Sequence, residues 1–118
     1  MSMILEFSDL DVIKDSALKR FEERVARTDP ANREMIEREA GRLESQLEQL
    51  YSFTALMARR EPDMAATAEL WQRLVKICDV FAARVFQLSQ QHELGTAAYD
   101  SILDIRSSAE ELRTLHSR

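Results

Sequence analysis

Apolar residues recur along this chain at alternating steps of three and four over two long stretches. The first runs Ile36, Ala40, Leu43, Leu47, Leu50, Thr54 and Met57; the second runs Met64, Thr67, Trp71, Leu74, Cys78, Phe81 and Val85. That spacing is the seam of a helix packed lengthwise against another helix. The two series mirror each other about the Glu61-Pro62 dipeptide, and mirrored positions alternate in bulk, with Ala40 opposite Phe81, Leu43 opposite Cys78 and Thr54 opposite Thr67. Proline disfavours a helical conformation in the residue before it, so the break falls there. The pattern predicts one long antiparallel hairpin with helices over about 30–60 and 62–92, each ~46 Å long at ~1.5 Å per residue.

Two shorter helices are expected on either side. Ser8 reads as an N-cap, with Phe7 and Val12 as a hydrophobic staple, for a helix over about 9–27 whose inward stripe is Leu10, Ile13, Ala17, Phe21 and Val25. Thr28-Asp29-Pro30 should end it and start the next, with Asp29 capping and Pro30 in the first turn. Gly95 should stop the third helix and Thr96 cap a fourth, over about 97–116, striped by Ala98, Ile102, Ile105, Ala109 and Leu112. The third helix also carries Leu70, Ile77 and Leu88 on one flank of its seam, and Val75, Ala82 and Phe86 on the other. That arc spans about half the circumference, enough for several neighbours. The expected fold is all-α: a single domain over 1–118, an up-down-up-down antiparallel four-helix bundle built on the central hairpin.

The outer helices are roughly two-thirds as long as the central pair and attach at its open end. They should leave the turn end partly bare, where the second helix is most apolar, from Leu50 to Ala58. Phe53 and Leu56 lie well off the seam there. Tyr51, Phe53, Leu56, Met57 and Met64 are therefore the candidate partner-binding residues, exposed apolar surface being a mark of an interface. Residues 3–7 or a second chain would cover them, and a homodimer or a helical protein partner is expected.

Composition narrows the function. The 118 residues are 45% hydrophobic and 31% charged, with a net charge of −5, which suits a globular domain and disfavours nucleic acid or anionic membrane. Arg20, Arg24, Arg27, Arg33, Arg38 and Arg42 could form a basic band, but Glu22, Glu23, Glu34, Glu37 and Glu39 are threaded among them, so a charge-laced surface is expected instead. No stretch approaches the ~20 apolar residues of a membrane span. Residues 1–7 lack a basic start and a long apolar run, which is unlike a signal peptide. A cytoplasmic location is expected.

Catalytic chemistry finds little support. No Glu-x-x-His occurs, and the seam carries no carboxylate, so a di-iron site of the kind some helical bundles hold is not expected. One cysteine and two histidines do not make a zinc site. The acidic pairs Glu44–Glu48 and Asp100–Asp104 lie off their apolar stripes and should be solvated, without the desolvation that splits carboxyl pKa values. No metal or cofactor is expected. The leading reading is a non-enzymatic adaptor or chaperone-like module working through protein–protein contacts. The alternatives are a histidine phosphotransfer module using His92, although phosphotransfer bundles carry their acceptor mid-helix, and an enzyme whose site forms only across a dimer interface.

Overall fold

The structure is a computed structural model that describes the backbone of residues 7–117 and side chains from Asp9 onward. It contains four helices: α1 (Phe7–Arg27), α2 (Arg33–Arg60), α3 (Met64–His92) and α4 (Ala97–His116). Every seam residue from Ile36 to Thr54 on α2, and from Thr67 to Val85 on α3, is buried. The two seam threonines keep their hydroxyls satisfied by donating to the carbonyl one turn back, Thr54 to Leu50 at 2.8 Å and Thr67 to Asp63 at 3.1 Å. Both flanks of α3 are used as well, since Leu70, Ile77, Leu88, Val75 and Ala82 are all buried, but Phe86, expected on the second flank, is 48% exposed with its ring against Tyr99 of α4.

Cross-helix pairs fix the directions. Asp11 with Arg73 and Glu22 with Arg84 hold the same sequence offset, so α1 runs parallel to α3. Tyr51 stacks on Trp71 near one end of the hairpin, while Arg33 donates to the Glu93 carbonyl at the other, making α2 and α3 antiparallel. Asp79 with Arg106 and Phe86 with Tyr99 set α3 and α4 antiparallel in the same way. Among the described residues α1 and α4 each touch both hairpin helices but not each other. Because they span the same length of α3, they must lie on opposite flanks of the α2–α3 pair. The result is a slab, 50 × 33 × 14 Å, about as thin as two helices in contact.

The helix ends depart from expectation in four places. α1 already includes Phe7 and Ser8, so Ser8 is not its cap, and the staple residue Val12 is 65% exposed. α2 begins at Arg33, not at Pro30: Asn32 is the cap, accepting from the Met35 N–H, whereas Asp29 accepts from Ala31 and closes a turn one step earlier. α3 begins at Met64, because Asp63 accepts from the Ala65 N–H and leaves Pro62 outside the helix. In α2 and α3 alike an Asx residue just downstream of the proline makes the better cap. α3 ends on Glu93, in the left-handed region at φ 54°, two residues before Gly95. The Leu94 N–H then closes on the Ser89 carbonyl and its side chain packs on the core, as in a Schellman ending. Gly95 instead approaches α2: its N–H donates to Glu37 Oε1, and a Cβ there would lie 3.1 Å from that oxygen. Thr96 does occupy the cap position of α4, but its hydroxyl donates to Asp100 rather than capping a backbone N–H.

The seam register has a direct test. Leu74→Ala is expected to cost about 2–5 kcal/mol in urea denaturation, the range for emptying a closed core site. Val80→Ala, on the same helix but 44% exposed, should stay within about 0.5 kcal/mol. Equal losses would mean that the seam lies elsewhere on α3.

Candidate functional site

At ~3.6 residues per turn, the side of α2 opposite its seam is drawn from Ser45, Glu48, Gln49, Ser52, Phe53 and Leu56. All six are exposed, and together they line a shallow depression of about 490 Å³ to which no other helix contributes. Phe53 and Leu56 are each 42% exposed. The reason lies in the lengths of the outer helices. By the α1–α3 offset, Phe7 falls level with Glu69; by the α3–α4 pairing, His116 falls level with the same residue. Among the described residues, both outer helices therefore reach to within a turn of the Thr54–Thr67 pair. Beyond it α3 is the one described neighbour of α2, and Phe53 and Leu56 face away from α3.

The other candidates are placed differently. Tyr51 turns to α3 and packs its ring on Trp71 at 5.3 Å, so it belongs to the core edge. Met57 is partly buried against the core, closing the last step of the seam. Met64, the first residue of α3, is exposed at the turn. The structure thus brings Phe53 and Leu56 into one surface and leaves Tyr51, Met57 and Met64 out of it. Met3, Ile4, Leu5 and the Phe7 side chain, the intrachain candidates for covering this end, lie outside the described residues.

Most of the arginine band at the α1–α2 corner is paired, and Arg33 donates to the Glu93 carbonyl. Glu39 is 6% exposed and bridges two helices, accepting from Arg24 Nε at 2.6 Å with Arg42 3.3 Å away. Arg27 pairs with Glu23 and Arg38 with Glu34 along their own helices. Glu39 is the residue that periodicity could not single out. It stands one step before Ala40 in a run of alternating charges, and only the approach of α1 buries it.

Glu44 departs from the solvated role expected of it. It lines a groove of about 230 Å³ between α2 and the start of α4, beside Gly41, Ala98 and Ser101. Burial pushes its carboxyl up to about 7, and the hydrogen bond with Glu48 and the charge of that neighbour add to the rise. The groove has a proton to exchange near neutrality but no cation and no activated nucleophile: Ser89 Oγ, on its wall, has no hydrogen-bond partner among the described residues. Asp100 and Asp104 are exposed, as expected. His92 is the last residue of α3, half-buried, and the register places His116 at the opposite end of the slab. Among the described residues no three His, Cys, Asp or Glu side chains converge as metal ligands, and no helix is long and apolar enough to cross a membrane. Cys78 is buried in the seam, and burial pushes its thiol up to about 12.

Compared with protein-family models, curated protein sequences and solved structures, the chain finds no match.

The Glu44 carboxyl makes stability depend on pH. Its folded-state value of about 7 lies above the ordinary 4.5, so folding takes up a proton. That contribution is full below about 4.5 and is lost as the pH climbs through about 7. Glu44→Gln should therefore melt higher than the parent at about pH 8 and show a flatter decline in Tm between about pH 5 and pH 8. Parallel Tm profiles for the two proteins would contradict this.

Proposed function

We propose that this protein is a non-enzymatic helical interaction module, an adaptor or chaperone-like domain that works through protein–protein contacts made by the outer face of α2 near the hairpin turn. One observation carries the reading: Phe53 and Leu56 stand together on a helix face that no other helix covers among the described residues. Each side chain is 42% exposed, so each forgoes somewhat less than half of the ~1.5–3 kcal/mol that full burial contributes, and a face of this kind is best accounted for by a partner that completes it. The polar residues around the pair suit a contact that forms and dissolves, because interfaces of this class keep a polar rim about an apolar centre. The expected setting is the cytoplasm, with a second copy or another helical protein as partner and with neither nucleic acid nor membrane.

Phe53→Asp combined with Leu56→Asp tests the reading. Both sites are exposed, so the far-ultraviolet helical signal and the urea midpoint should stay near those of the parent. The mass in light scattering, or the set of proteins crosslinked in the native extract, should fall to the monomer alone. A variant that keeps both the parent mass and the parent crosslinks would overturn the proposal.

A further inference from the structure

We infer that the occupant of this face is a second copy of the same chain, packed α2 against α2 in antiparallel sense about a two-fold axis that passes beside Phe53. The inference rests on the reading of the α2 face as an interaction surface. What it adds is the partner and the register.

The argument comes from the charges that flank the apolar pair. Glu48 is exposed and has no cationic partner among the described residues; the side chain beside it is Glu44, which shares a hydrogen bond with it. Arg59 and Arg60, exposed in the last turn of α2, have no ion pair among the described residues. Arg24, Arg27, Arg38, Arg42, Arg73, Arg84, Arg106 and Arg113 each lie beside a carboxylate, whereas Arg20 and Arg33 do not. What sets Glu48 and Arg59 apart is their place, on the face that carries Phe53 and Leu56 and at the two ends of that apolar pair.

Their spacing fits a two-fold. Glu48 and Arg59 are eleven residues apart, about three turns, so they lie along the same edge of the helix; Phe53 and Arg60 lie along the other. A two-fold between antiparallel helices sets each edge against the same edge of its mate. With the axis level with Phe53, Glu48 meets the partner's Arg59, and Arg59 meets the partner's Glu48. The same register lays Leu56 over the partner's Ser52, a large residue against a small one, and brings the two Phe53 rings together at the axis. A parallel two-fold would set opposite edges together at the same level, with Arg59 beside the partner's Arg60 and Glu48 three turns from both. The contact runs from Ser45 to Arg60, ~24 Å of a single helix. That is at the small end of specific interfaces, so the dimer dissociates on dilution.

Charge exchange tests both partner and register by sedimentation over a range of concentrations. Glu48→Arg alone and Arg59→Glu alone should each weaken self-association by roughly tenfold or more, since each replaces two attractive pairs by two repulsive ones. An equimolar mixture of the two variants should associate as well as the parent, because every pair across the mixed dimer is again opposite in sign. The double variant carrying both changes in one chain should also recover. Self-association that Phe53→Asp with Leu56→Asp abolishes, but that neither charge variant alters, would overturn the register while leaving the interaction surface in place. A parent that stays monomeric at high concentration, yet loses crosslinked proteins when Phe53 and Leu56 are changed, would overturn the second-copy assignment and leave the proposed function standing. Failure of the mixture to associate when the double variant does would likewise overturn the inference, since both restore the same pairs.

Discussion

A helix has a limited apolar arc, and α2 turns all of its own inward, to α3 and to the helices α1 and α4 that lie beside the pair. From Ile36 to Thr54 the seam uses one stripe of α2, step by step, and the two buried threonines continue it to the hairpin turn by turning their hydroxyls back onto their own helix. α3 differs because it is apolar over a wider arc. Besides its seam it buries Leu70, Ile77 and Leu88 on one side and Val75 and Ala82 on the other. The rest follows from that difference. α1 and α4 each pack against both hairpin helices, on opposite flanks of the pair, and the side of α2 that faces away from all three helices is left without a neighbour among the described residues.

Burial supplies the stability and charge supplies the placement. The fully buried side chains on α3, among them Leu74, Phe81 and Leu88, each contribute on the order of 1.5–3 kcal/mol, whereas a partly exposed ion pair contributes about 0–1 kcal/mol. Yet it is the pairs Asp11–Arg73, Glu22–Arg84 and Asp79–Arg106 that distinguish one flank of α3 from the other. Their effect is to favour one docking of two otherwise similar amphipathic helices. Glu39 goes further. Nearly buried at the α1–α2 corner, it is held by arginines from both helices, and loss of either would leave a charge in poor surroundings.

The hairpin was legible in the sequence because a seam of three-four steps needs no tertiary information: Leu43, Leu47 and Leu50 announce their side by spacing alone. The exposure of Phe53 and Leu56 followed from their being off that seam. Helix ends were harder, because Asp29 and Asn32, or Pro62 and Asp63, both satisfy local rules and only the three-dimensional path chooses between them. Gly95 misled for a similar reason. Glu93 takes the left-handed turn despite its side chain, since Leu94 gains core contact by the turn occurring there. Tyr51 and Glu44 were misjudged because their surroundings come from other helices, Trp71 in one case and the start of α4 in the other. Chemistry set by convergence across helices is the part that a one-dimensional pattern does not display.

The central claim is that the seam leaves the outer face of α2 bare in the single chain and that a second copy covers it. Hydroxyl-radical footprinting read by mass spectrometry at two concentrations tests this directly, with Phe86, half-exposed on α3, as the internal reference. The account predicts that Phe53 and Leu56 are oxidised readily in dilute solution and become protected on concentration, while oxidation of Phe86 does not change. Protection of Phe53 and Leu56 at every dilution, or protection of Phe86 in step with them, would contradict it.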